Sequence, residues 1–212
     1  MDIRTLIDRT DFAGIEAALI ANPALANEGI PYDSKNTTKA HPLHRICDGV
    51  FAGTYTDDDA VKLAQLFLSH GSDVNGSQLV VGKDSPLVAA SSLHADQVAL
   101  LYINRGATIN HPGTHGGTAL HWAAWCGRPA VLEALVAAGS LVNQLCTEFE
   151  ATPLFWAVRG YKFADAGQLP AYSRSILILL AHGADKLIPN KEGETISDML
   201  TEREAALQEL LR

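Results

Sequence analysis

Between residues 129 and 137 the apolar positions fall at Val131, Leu132, Leu135 and Val136. That three- and four-residue spacing is the stripe of a helix buried along one side. Ahead of it the pattern predicts a shorter helix rich in small residues. Ser85 and Thr152 stand where a side-chain oxygen can accept from an otherwise unpaired helix N–H. Pro42, Pro86 and Pro153 occupy first helical positions, where a missing N–H costs little. The pairs Ala89-Ala90 and Ala123-Ala124, with Ala157, let neighbouring helices approach closely. Gly71, Gly106, Gly139 and Gly183 lie where the second helix must end in a left-handed conformation. Gly113, Gly116 and Gly117 suit a tight hairpin.

These signals repeat. Four segments begin His41-Pro42-Leu43-His44, Ser85-Pro86-Leu87-Val88, Thr118-Ala119-Leu120-His121 and Thr152-Pro153-Leu154-Phe155. The step from Leu87 to Leu120 is 33 residues and that from Leu120 to Leu154 is 34. In the two inner units leucine and glycine stand 19 apart, but in the outer two they stand 28 (43 to 71) and 29 (154 to 183) apart. The outer units therefore carry insertions of nine and ten residues at the same internal place, bringing in Phe51 and Tyr55, then Tyr161, Phe163 and Tyr172. The first three glycine signatures continue to Asn75, Asn110 and Asn143. A fixed period of this length is the mark of stacked repeat units.

The run Gly117-Thr118-Ala119-Leu120-His121-Trp122-Ala123-Ala124-Trp125-Cys126-Gly127, continuing to Gly139 and Asn143, resembles an ankyrin repeat. The likeness covers roughly residues 38–190. It departs at Val88 and Phe155, where the family usually has histidine, and at Leu187 in place of asparagine. The resemblance implies an all-α ankyrin-repeat solenoid of stacked helix-turn-helix pairs with short β-hairpin-like loops. The expected organisation is a single domain over 1–212. It comprises an N-terminal capping helix pair (1–37), four repeats (38–190) and a C-terminal capping pair (191–212). Asp11, Ile15, Ala18 and Leu19 mark the second N-terminal helix; 202–211, opening on Glu202 and Glu204, reads as the last one. With its fitted caps the chain resembles short bacterial ankyrin proteins.

Composition narrows the function classes. At 47% hydrophobic, the 212 residues can build a substantial core. The net charge of -8 disfavours nucleic acid. The apolar runs are far short of the ~20 residues a bilayer needs, so no membrane association is expected. The opening Met1-Asp2-Ile3-Arg4 lacks the basic start and apolar stretch of a signal peptide, and the three cysteines Cys47, Cys126 and Cys146 fit a reducing compartment, so a cytoplasmic protein is expected. Asn36-Thr37-Thr38 has the form of a glycosylation acceptor, which carries no meaning in that compartment.

Candidate chemistry is thin. His41, His44 and Cys47 are spaced three apart, but His44 is accounted for by the repeat and His41 replaces a capping threonine, so no metal is expected. Asp57-Asp58-Asp59 reads as the acidic opening of the helix at 60–69 rather than a calcium loop. The stretch Gly113–Gly117 lacks the Lys-Ser/Thr of a phosphate loop. No cofactor and no catalytic site are expected.

The resemblance implies a monomeric protein-protein interaction module or adaptor that binds another protein on its concave face. Carried over by register, that face takes Ser92 and Leu93, Trp125 and Cys126, and Arg159 and Gly160; the hairpin tips add Asp84, Thr114, His115, Glu148 and Phe149. Trp122 is assigned to packing between repeats. Trp125 has two open readings, a contact hot spot or a packing residue under the fourth unit's insertion. The insertions' aromatics are expected to fold back on the helices rather than form a second recognition edge. The competing functions are a small-molecule sensor or enzyme with a pocket formed by the insertions, and a self-associating structural protein.

Overall fold

The computed structural model describes residues 1–32, 38–78, 80–201 and 204–211. The acceptor at Asn36 and the expected helix start at Glu202 lie outside them. The chain is predominantly helical and forms two compact units, one of Met1–Val80 with Asp84–Thr108, the other of Val81–Lys83 with Ile109–Arg212.

The first unit holds three helix pairs: α1 (Ile3–Asp8) with α2 (Phe12–Ala21), α3 (Pro42–Phe51) with α4 (Asp57–Ser69), and α5 (Pro86–Ser92) with α6 (Asp96–Asn104). Second helices pack on second helices, α2 on α4 and α4 on α6, and α3 packs on α5. Leu43, Ile46, Leu63, Phe67 and Tyr102 are sealed between them. The Tyr102 hydroxyl donates to the Leu43 carbonyl at 2.9 Å, so this ring crosses the core without stranding its polar end. Before α3 a two-residue ladder pairs β1 (Ile30–Pro31) antiparallel with β2 (Lys39–Ala40).

The second unit repeats the arrangement with α7 (Ala119–Trp125) and α8 (Pro129–Ala137), then α9 (Pro153–Phe163) and α10 (Leu169–Ala181). Here α7 packs on α9 and α8 on α10. Ala123, Ala124 and Ala157 are fully buried where the first helices meet. The expected first helix of the C-terminal pair is absent among the described residues: residues 196–199 form turns, followed by α11 (Ala205–Leu210). The Asp198 carboxylate accepts from both the Thr195 N–H and its hydroxyl at 2.7 Å, the contact of a capping box, yet no helix follows it.

The helix ends follow the sequence signals. Ser85 accepts from Val88 N–H and Thr152 from Phe155 N–H, while Asp11 starts α2 by accepting from Gly14 N–H. His41 does cap α3, its ring accepting from Leu43 N–H and meeting the Asn27 side chain. The aspartate run does more than expected. Thr56 caps α4, while Asp57 reaches across to accept from Gln97 and Val98 N–H, capping α6, whose own start at Ala95 has no side-chain cap.

Within each unit the pairs are linked by asparagines. The Asn143 amide donates to the Gly183 carbonyl at 2.9 Å and accepts from Asp185 N–H at 2.8 Å; Asn110 makes the same pair with Gly139 and Leu141. Asn27 does so with Gly71 and Asp73, and Asn75 accepts from Thr108 N–H. The four glycines lie at φ between 79° and 92°, where a side chain would be strained. Replacing Asn143 by alanine removes two bonds and is expected to lower unfolding free energy by about 1–2 kcal/mol. Urea unfolding measures this, and an unchanged midpoint would refute the linking role.

His121 is the other buried connector. Its ring, wholly buried, bonds Thr118 through Nδ1 and lies 3.2 Å from the Ala151 carbonyl through Nε2. Burial lowers its pKa from 6.5 to about 4. The fold therefore holds it neutral, and its contribution is complete above pH 6.5 and is lost as pH falls toward 4. Burial likewise lowers His41 to about 4. Stability is expected to drop between pH 7 and 4, by as much as ~3 kcal/mol from His121. A His121→Asn variant should show a shallower fall; an equally steep one would place the effect elsewhere.

Candidate functional site

Along α9, Trp156, Arg159 and Phe163 recur at three- and four-residue steps, so they share one face. On α7, Trp122 and Trp125 do the same. Close packing of α7 on α9 through alanines brings the two faces together. Trp156 stands at the centre. Its ring meets Trp122 at 5.1 Å and 83°, Trp125 at 6.2 Å and 77°, and Phe149 at 6.1 Å and 62°. Edge-to-face pairs of this kind contribute ~0.5–1.5 kcal/mol each beyond their burial. Phe155 and Ala151 complete an open cleft of about 520 Å³.

Two fingers and one loop frame it. His115 takes φ 58° at its finger tip, and its ring lies 5.7 Å from Phe149 and 6.0 Å from Trp122. Its Nδ1 pairs with the Glu148 carboxylate, and Glu148 N–H donates to the His115 carbonyl, so adjacent fingers are joined by side chain and backbone. Gly116 is required there, since a Cβ would fall 2.1 Å from Thr147 Oγ1. The loop after α10 docks through Lys191 N–H on the Phe149 carbonyl. Asn190 holds that loop by accepting from Glu192 and Glu194 N–H, placing both residues on the cleft wall. At the other end the Arg159 guanidinium lies 5.9 Å over the Phe163 ring, which also contacts Trp125 at 6.2 Å.

Of the residues expected from sequence, His115, Trp125, Phe149 and Arg159 line this cleft, and Glu148 is joined to it through His115. Thr114 and Cys126 lie in the same unit but off the cleft walls, half-buried at the finger and at the end of α7. Asp84, Ser92 and Leu93 belong to the first unit and are half-buried there; Ser92 donates to the Ala89 carbonyl at 3.1 Å. Trp122 packs edge-to-face on Trp156 of the next helix pair, as its assignment to packing between repeats expects, and, being half-buried, also lines the cleft. Its Nε1 is buried without a hydrogen-bond partner among the described residues. Trp156, Phe155, Asn190, Glu192 and Glu194 were missed. For Trp156 the signal was present, because it occupies the register position of Trp122 one repeat earlier; the loop residues carried none.

Trp125 packs against the fourth unit's insertion. It lines the cleft, and its backbone carbonyl accepts from the Tyr172 hydroxyl at 2.8 Å, so the fourth unit's insertion does support it. Tyr55 folds back in the same way, donating to the Ile46 carbonyl at 3.0 Å. Phe51 and Phe163 depart from the expected fold-back, being 65% and 72% exposed.

Among the described residues no group of three or more His, Cys, Asp or Glu is placed to hold a metal ion. His41, His44 and Cys47 have separate partners: Asn27, Asp48 at 3.8 Å, and the Leu43 carbonyl. Also among the described residues, no helix is long and apolar enough to cross a membrane.

Residues 51–146 match the family model of ankyrin repeats in three copies. The chain carries ankyrin repeats. A 91-residue stretch, 43% of this chain, is 32% identical to the human palmitoyltransferase ZDHHC13, 31% to its mouse counterpart and 28% to the rat palmitoyltransferase ZDHHC17. The chain covers 13% of the length of each of these relatives. Ankyrin repeats are in general protein-interaction modules. The cleft takes its α7 wall from inside the matched ankyrin segment and its α9 wall from beyond it.

Gly160, expected on the concave face, is instead buried where α9 meets α7. A Cβ there would lie 2.4 Å from the Trp125 carbonyl oxygen and 2.7 Å from Tyr172 Cε1. Gly160→Ala must push α7 and the Tyr172 ring apart, and a loss of about 1–3 kcal/mol is expected. Urea unfolding with near-ultraviolet circular dichroism of the tryptophan cluster measures it; unchanged stability and spectrum would show that the contact is slack.

Proposed function

We propose that this chain is a non-catalytic ankyrin adaptor that docks a segment of another protein in the aromatic cleft of its second unit. The observation that supports this reading is the convergence of Trp122, Trp125, Trp156 and Phe149 on one open cleft, with an arginine at its margin. Tryptophan and arginine dominate the energetics of protein interfaces. The concave-face register assigned to partners by the family resemblance includes four of the cleft residues. The names of the relatives attach palmitoyl transfer to far longer proteins, and here the shared stretch is read as a binding element without that activity.

A random 16-residue peptide library displayed against the full chain tests this reading. Peptides should be enriched whose binding weakens on Trp125→Ala by about 30-fold, the size of a ~2 kcal/mol hot spot. Circular dichroism of the variant checks that its helices are kept. If every enriched peptide binds the variant as tightly as the parent, or none is enriched, the cleft is not the docking site.

A further inference from the structure

The charges lining the cleft are sorted by position. The ring contacts form a ladder from His115 and Phe149, through Trp156 and Trp122, to Trp125 and Phe163. Glu192 and Glu194 come from the loop that docks on the Phe149 carbonyl, so they stand at the finger end. The Glu148 carboxylate is also at that end, paired with His115. Arg159 stacks on Phe163 and so stands at the opposite end. Among the described residues lining the cleft it is the sole cation, and it makes no ion pair among the described residues. Lys191 lies beside the glutamates in sequence, but it does not line the cleft.

We infer that the cleft reads an extended, bipolar peptide segment: apolar side chains along the aromatic ladder, a lysine or arginine toward Glu192 and Glu194, and a carboxylate toward Arg159. This rests on the docking function proposed above and specifies its partner chemistry. The centroid steps from Phe149 to Trp156, Trp125 and Phe163 are 6.1, 6.2 and 6.2 Å. At ~3.3 Å per extended residue, such a ladder separates the two charged positions by at most about five residues. A cation at the finger end also faces ring surfaces, which favour it over an anion. Arg159 presents a planar fork that a carboxylate can engage through two bonds. Complementary charges at both ends fix the direction of the bound segment, which an apolar ladder alone would leave open.

The same displayed library, selected in parallel on the parent chain, on Arg159→Glu and on Glu192→Lys/Glu194→Lys, tests the charge reading. On the parent, Trp125-dependent peptides should carry a basic and an acidic residue at most about five positions apart. Arg159→Glu should replace the acidic preference by a basic one and weaken the leading parent peptide by about threefold to tenfold; the double variant should invert the basic preference. Trp125-dependent peptides with no charge pattern, or with a pattern indifferent to both variants, would overturn the bipolar reading while leaving the docking function standing. Absence of any Trp125-dependent peptide would overturn both.

Discussion

The contact on which each unit depends is an asparagine clamp. A glycine follows α4, α6, α8 and α10 with φ near 80–90°. After α4, α8 and α10 an asparagine from an earlier turn takes that glycine's carbonyl and offers its own oxygen to the N–H two residues on; after α6, Asn75 accepts from Thr108 N–H. One side chain thus satisfies a helix terminus that would otherwise lack partners. It also fixes the distance between successive pairs to that of a hydrogen bond. With that spacing set, small residues must fill the contact between first helices, and Ala89, Ala123 and Ala157 are fully buried. The tryptophans of α7 and α9 meet because the backbones beneath them are held so close.

The clamp was legible in the sequence only as a motif. Asn75, Asn110 and Asn143 recur after a glycine signature, and the glycines themselves announce a left-handed residue. Asn27 was not found, although it clamps Gly71, because the N-terminal pair keeps the contact and little of the surrounding signature. The 33-residue period gave the helix pairs and their caps closely, since capping chemistry is local. The turns at 196–199 were misread because a start signal is not a helix. Thr195 and Asp198 do make the contact of a helix start, but no helix follows.

The candidate site divides along the same line. Register placed Trp125, Arg159, Phe149 and His115 on one face, because equivalent positions in stacked pairs must share a surface. It could not place Glu192 or Glu194, whose position is set by Lys191 N–H meeting the Phe149 carbonyl more than forty residues away in sequence. Trp122 keeps its expected packing on Trp156 and also reaches the cleft. A residue of the family pattern can pack against its neighbour with one edge and face solvent with another, and amphipathic aromatics are suited to that division.

The fourth unit's insertion takes on a different role once the cleft is known. Tyr172 anchors to the Trp125 carbonyl, and its ring fills the space that a side chain at Gly127 or Gly160 would need. Phe163, carried by the lengthened α9, extends the ladder to Arg159. The added residues therefore act beneath and beside the aromatic wall. In an unlengthened repeat α9 would end near Arg159, the guanidinium would lose its aromatic platform, and the Trp125 backbone would lose its tyrosine support. The departure from the regular ankyrin period is thus what joins the charge at one end of the cleft to the rings along its length.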